Sequence, residues 1–150
     1  SLKQSIADNV ELLSKSEYAN ADPDKQTAYN QAVEHAMQII QQTEPQNANL
    51  NPTEINNATG NVNNTKTDLN GVQRLAEAKE QAKNTIENLQ YLNEAQREQA
   101  KSNVTDSTTK DDIASQLVKY QTLINGTIYG SLIYKILSNM IFLCFSEHPS

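Results

Sequence analysis

From Leu2 to about Ile124, apolar residues recur every three or four positions, and polar stretches rich in asparagine separate the runs. That spacing lines up one apolar stripe on a helix and does not fit the strict alternation of a half-buried strand. The chain is therefore read as all-α. Its 150 residues can hold two small bundles, since three short helices need only about 45 to 70 residues, the marginal range for a single core. Two consecutive three-helix bundles are expected. Four glycines, four prolines, no tryptophan and two phenylalanines argue against a sheet fold or an aromatic-lined cavity. The cores should be small and built from Leu, Ile, Val and Ala.

Charge and cysteine usage narrow the function classes. A formal net charge of -6, without a basic stripe, leaves nothing to displace counterions from a phosphate backbone, so nucleic acid is not an expected partner. The single cysteine, Cys144, excludes an internal disulfide and a multi-cysteine metal site, and suits either a cytoplasm or a Gram-positive cell surface. Ser1 opens the chain without the basic region and apolar core of a secretory signal, so the sequence reads as a fragment whose targeting segments lie elsewhere.

The first helix is expected over residues 2–18, with Leu2, Ile6, Val10 and Leu13 on one face and Lys3, Asp8, Glu11 and Lys15 off it. Asn20, Asp22 and Pro23 end it. A proline turns the residue before it away from helical geometry, and at the first position of the next helix its missing N–H costs nothing. The second helix then runs to about Gln42, burying Tyr29, Val33, Ala36, Met37 and Ile40, before Pro45 closes it. Asn51 caps the third and Pro52 begins it, with Ile55, Ala58, Val62 and Leu69 inward. The same spacing continues through Val72, Leu75, Ala78, Ala82, Ile86 and Leu89. Because one glycine costs a helix only about 1 kcal/mol, a single long helix over 52–89, kinked at Gly71, is expected to join the two bundles into a rod. Asn93 caps a short helix with Ala100 and Val104 inward. Thr109 caps the last, in a capping-box spacing with Asp112, and Ile113, Leu117, Tyr120 and Ile124 form its core face.

Chemistry is sparse. No glycine-rich loop, ligand cluster or nucleophile and base pair is present, so no enzyme, cofactor or metal is expected, and no catalytic, metal-binding or ligand-binding residue is assigned. His35 and His148 are far apart in sequence and suggest no paired site. Asp22 and Asp24 lack the further oxygen ligands of a calcium loop and are better read as helix-start residues. Glu77, Lys79, Glu80 and Lys83 make a solvated mixed-charge face. Asn103-Val104-Thr105 has the glycosylation acceptor spacing, a pattern common by chance.

Two motifs carry a resemblance. Glu17-Tyr18-Ala19-Asn20-Ala21-Asp22-Pro23-Asp24-Lys25, followed by Tyr29-Asn30-Gln31-Ala32-Val33, resembles the FIVAR module. Leu75-Ala76-Glu77-Ala78-Lys79, then Ala82, Ile86 and Leu89, then Leu92-Asn93-Glu94-Ala95-Gln96, resembles the GA module, related to bacterial albumin-binding three-helix domains. Together they are similar to the repeats of the Ebh-type giant staphylococcal surface proteins. The resemblance covers residues 1–124 and implies a FIVAR-like module over 1–70, a GA-like module over 71–124 and an atypical apolar tail over 125–150. It further implies a monomeric repeat of a cell-wall adhesin, flanked by like repeats, serving as a spacer or as a multivalent binder of albumin or fibronectin. Albumin-binding GA modules present exposed aromatic residues on the second helix, where this chain has Ala100 and Lys101. That departure removes the expected anchor. Tyr91, at the turn before that helix, reads as a cover for the bundle end or as a substitute contact.

Residues 128–145 are strongly apolar, interrupted by Lys135 and Asn139. Three readings stay open: a non-native or frame-shifted end, a last helix extended and packed on the bundle, or a membrane anchor.

Overall fold

The computed structural model describes the backbone of residues 1–43 and 51–146, and the side chains of these residues except 43, 123–135 and 142–146. Every regular element among them is helical: α1 (Leu2–Ser5), α2 (Asn9–Leu13), α3 (Ser16–Ala19), α4 (Pro23–Thr43), α5 (Pro52–Thr67), α6 (Gly71–Glu87), α7 (Glu94–Asp106) and α8 (Lys110–Ser146). The expectations for Pro45 and His148, and for the side chains of Ile124 and Cys144, lie outside the described residues. The chain divides into two compact units, one of Ser1–Lys79 with Thr108–Lys110, the other of Glu80–Ser107 with the chain from Asp111 onward.

In the first unit, α4 packs on α5 and α1 packs on both. Leu2, Leu12, Tyr29, Val33, Ala36, Ile39, Ala58 and Val62 form its core, edged by Ile6, Tyr18, Ala32, Ile40, Ile55 and Leu69. The rings of Tyr18 and Tyr29 meet edge to face at 6.1 Å, a geometry favoured by the ring quadrupoles. The Asn51 side chain accepts from Thr53 N and Pro52 takes the first helical position, as their sequence order predicts.

Several expectations for this unit fail. The first helix is not continuous but three short pieces. Ser5 Oγ donates to the Leu2 carbonyl at 2.6 Å and Ser14 Oγ to the Glu11 carbonyl at 2.8 Å, and Lys15 is extended. Such side-chain bonds compete with the helix ladder for its own acceptors. The buried positions are then Leu2, Ser5 and Leu12, while Val10 (76 %) and Leu13 (44 %) are exposed. On α4, likewise, Ile39 is buried and Met37 is exposed.

The long helix over 52–89 is also absent, because α5 stops at Thr67 and α6 begins at Gly71. Asn70 ends the continuity by turning its side chain to Asp22, while its carbonyl starts α6 by accepting from Arg74 N at 2.9 Å. Val72, assigned to the continuous stripe, is exposed. Gly71 is the residue that close packing requires: a Cβ there would lie 2.0 Å from the Ser16 carbonyl oxygen and 2.5 Å from that of Glu17.

The second unit buries Ala82 and Ile86 on α6, Leu92 in the following turn, Ala100 and Val104 on α7, and Ile113 and Tyr120 on α8. Asn93 and Gln96 form a reciprocal capping box at the start of α7, the side chain of each accepting from the backbone N–H of the other. Helix α8 continues to Ser146, and its described side chains at 136–141 are all exposed, so that stretch is not packed on a bundle. Among the described residues, no helix is long and apolar enough to cross a membrane.

Candidate functional site

A dense polar cluster of the first unit surrounds the turn Asn20-Ala21-Asp22, between α3 and α4. Asn20 is 1 % exposed and Ala21 3 %. A buried amide must find its partners within the protein, and Asn20 does. Its Nδ2 donates to Ser16 Oγ at 2.9 Å and to the Thr108 carbonyl at 3.0 Å, and its Oδ1 accepts from Lys110 N at 2.8 Å. Asn20 therefore brackets the turn before α8 and satisfies one of that helix's first amides, a task assigned from sequence to Thr109 and Asp112 alone.

Asp22 does the same for the turn between α5 and α6. Its backbone N–H donates to Asn70 Oδ1 at 3.0 Å, and its Oδ2 accepts from Asn70 Nδ2 at 2.9 Å. Arg74 adds Nε at 3.1 Å to Oδ1 and Nη2 at 3.0 Å to Oδ2, while its Nη1 reaches Glu77 at 2.7 Å. Hydrogen bonds from Asn70 and then Arg74 hold the Asp22 carboxyl below its ordinary value, and those from Gln73 and Arg74 do so for Glu77. The Asp22 carboxylate is thus committed to Asn70 and Arg74 rather than to a cation or to the start of α4. Asp24 is exposed in the first turn of α4. Among the described residues, no group of three or more His, Cys, Asp or Glu could hold a metal ion.

A groove of about 220 Å³ lies between α2 and α4, lined by Asn9, Leu13, Tyr29, Val33 and Met37, with Asn30 and Glu34 beside them. His35 lines a separate cleft with Ile39, Glu54 and Asn57. Neither brings together groups that could carry out a reaction.

On the second unit, Ala100 and Lys101, the two positions singled out by the resemblance, both have partners within the unit. Ala100 is 0 % exposed, and the Lys101 ammonium pairs with Glu87. Tyr91, by contrast, is 74 % exposed, which corrects its reading as a cover for the bundle end. Asn103 of the acceptor pattern donates from Nδ2 to Tyr120 Oη at 2.8 Å, so its amide is part of the packing. Sequence reasoning missed the roles of Asn20, Asn70, Gly71 and Arg74. The only signal for them was the crowding of Asn, Asp and Gly at two turns, which does not reveal that one turn grips another.

Residues 1–70 match the FIVAR domain and residues 72–125 the GA module. Over 136 residues the chain is 42% identical to the extracellular matrix-binding protein EbhA of Staphylococcus aureus strain Newman, and 42% identical to the extracellular matrix-binding protein ebh of strain NCTC 8325 / PS 47. The alignments cover 90% of this chain but only 4% and 1% of those relatives. A crystal structure of a Staphylococcus aureus domain, 3912-4037, described as similar to streptococcal adhesins emb and ebhA/ebhB, superposes with a TM-score of 0.72 at 30% identity, covering 82% of this chain and 94% of that one. The 756-1003 domain of EbhA from the same organism gives a TM-score of 0.72 at 29% identity, covering 83% of this chain and 48% of that one. With both of its motifs matched in order and its helical fold shared, the chain belongs to the FIVAR and GA repeat family of the staphylococcal Ebh proteins.

Proposed function

We propose that the chain is a non-enzymatic repeat of a bacterial cell-wall adhesin and that it acts there as a structural spacer. In this reading it is a monomer, its neighbours are like repeats of the same polypeptide, and its modules span residues 1–70 and 71–124, with 125–150 as a separate tail. One observation carries the spacer role: Ala100 and Lys101, where an exposed aromatic anchor would stand, are spent on the core and on Glu87. Interfaces of this kind draw most of their energy from a few anchoring side chains, often aromatic. The polar side chains of the 20–22 turn are likewise consumed in holding the chain's own turns.

A second reading has its own support. The GA match, the names of the matrix-binding relatives and the exposed Tyr91 favour a weak host-protein contact made useful by repetition, since linked copies multiply affinity by effective concentration. Calorimetric titration of the chain against albumin and fibronectin, beside a working albumin-binding three-helix domain, separates the two. Silence is the expected result. Saturable binding at micromolar affinity or tighter, lost in Tyr91→Ala, overturns the spacer reading in favour of a recognition module.

A further inference from the structure

The side-chain partners of the Asn20–Asp22 turn do not all belong to the FIVAR-matched stretch that contains it. Asn70 does, but Arg74, Thr108 and Lys110 lie in the GA-matched residues 72–125. Gly71, between the two matches, lies against the Ser16 and Glu17 carbonyls. All these contacts fall inside the first compact unit, which takes in Gly71 to Lys79 and Thr108 to Lys110. The FIVAR-matched stretch thus completes its own turn with atoms from the GA-matched one. If the GA-matched stretch unfolded alone, the Asn20 amide, 1 % exposed, would lose Thr108 and Lys110, and Asp22 would lose Arg74. Asn20 would keep only Ser16, and the hydrogen bonds from Lys110 and Arg74 that fix the turn would be gone, so the turn is less stable without its GA-matched partners.

We propose that the Asn20-Ala21-Asp22 turn is an interlock through which the FIVAR-matched and GA-matched stretches open together instead of as independent beads. This goes beyond the spacer reading and does not rest on it, since it concerns cooperativity whether or not a ligand exists. Its consequence is that the mechanical and folding unit is the pair of modules. Damage to one is transmitted to the other.

Hydrogen exchange of the intact chain, followed by mass spectrometry under conditions where opening limits exchange thermodynamically, tests this directly. Val62→Ala truncates a side chain 0 % exposed on α5, away from the turn. Such a truncation should speed exchange about tenfold or more around Val33 on α4. The interlock predicts a similar acceleration around Val104 on α7. Unchanged α7 rates, within about twofold, overturn it, because the stretches then open separately. The second arm combines Asn20→Ala with Asp22→Ala and repeats the comparison. The interlock predicts that Val62→Ala then accelerates α4 but no longer α7. Coupling that persists undiminished assigns the transmission to the shared helix α6 and overturns the role of the turn. Should that pair not fold, Asp22→Asn takes its place, with coupling reduced if the interlock holds and unchanged if it does not.

Discussion

The two units keep their polar contacts at different ranges. In the second, capping pairs residues three apart, Arg97 Nη2 reaches the Leu89 and Leu92 carbonyls eight and five residues back, and Asn103 reaches Tyr120 seventeen residues on. In the first, Asp22 holds Asn70 across 48 residues and Arg74 across 52, and Asn20 holds Thr108 and Lys110 across 88 and 90. Local contacts follow from rules that a short window of sequence obeys. Long-range brackets instead fix which turn meets which, so the first unit owes its arrangement to a few specific atoms and the second to helix propensity, caps and small buried residues.

The sharpest way to break that contrast is at Gly71. Replacing Gly71 with Ala places a Cβ 2.0 Å from a backbone oxygen of α3, which nothing short of moving α6 off α3 relieves. A loss of about 3 kcal/mol or more is expected, at the upper end of the range for overpacking a close contact. Gly60 in α5 provides the internal comparison, since a Cβ there meets nothing within 4 Å. Gly60→Ala should stabilise by about 0.5 to 1 kcal/mol, the usual gain of alanine over glycine inside a helix. Urea denaturation midpoints of the two variants check both signs, and a tolerated Gly71→Ala would show that the α3–α6 approach is not required.

The same contrast explains what could be read from the residues. Asn93 as a cap, the inward Ala100 and Val104, and Asn51 followed by Pro52 are all decided within one helical turn, and all were legible, whereas the reciprocal partner Gln96 was not read. Within residues 2–18 two helical stripes compete: Leu2, Ile6, Val10 and Leu13 are the more apolar, yet the fold buries Leu2, Ser5 and Leu12. Periodicity favours the more hydrophobic set, and serine hydroxyls that interrupt the ladder decide for the other. At residues 68–70 the apolar spacing runs straight through a break held by Asp22, 48 residues away. Glycine at 71 suggested tolerance of a kink, whereas its physical role is to admit a neighbouring backbone. Of the site, the motif around Asn20 and Asp22 was visible and its partners were not.

Acid should load the two units unequally. In the first, Asp8 is held below its ordinary value chiefly by its hydrogen bond from Lys66, Asp22 by those from Asn70 and Arg74, and Glu77 by those from Gln73 and Arg74, with Lys110 adding a further positive charge toward Asp22. In the second, Glu87 is held down by Lys101. A carboxylate with a depressed folded-state value stabilises the fold above its ordinary value, 3.8 for Asp and 4.5 for Glu. That contribution is lost as pH falls through the depressed value. Between about pH 5 and about pH 2 the first unit therefore loses more carboxylate stabilisation than the second, and with the interlock intact amides near Asp22 and on α7 should lose protection together. Asp22→Asn should start less stable at neutral pH and lose less on acidification. Since these pairs are partly exposed, added salt should shrink the difference. Loss of protection near Asp22 with α7 unchanged over the acid range would contradict the coupling.

The smallest test compares two buried tyrosines. Tyr120 of the second unit, 8 % exposed, receives a hydrogen bond from Asn103 at 2.8 Å, so Tyr120→Phe should cost about 1 kcal/mol, the worth of an ordinary buried bond. Tyr29 of the first unit is 1 % exposed, and its hydroxyl has no hydrogen-bond partner among the described residues. Phenylalanine there keeps the ring against Tyr18 and removes a polar atom that the core does not satisfy, so Tyr29→Phe should stay within about 0.5 kcal/mol of the parent or rise above it. Burial, then the negative charge of Asp8 and the neighbouring Tyr18, raise the Tyr29 phenol above its ordinary 10.0. The folded state consequently holds that proton more tightly than the unfolded chain, and stability falls as pH rises above about 10. Tyr29→Phe removes this term, so its stability profile should be flatter than the parent's on the alkaline side. A marked loss of stability in Tyr29→Phe at neutral pH would mean that the hydroxyl does have a stabilising role, and that the first unit's aromatic core is as dependent on specific polar atoms as the turn at Asn20 and Asp22.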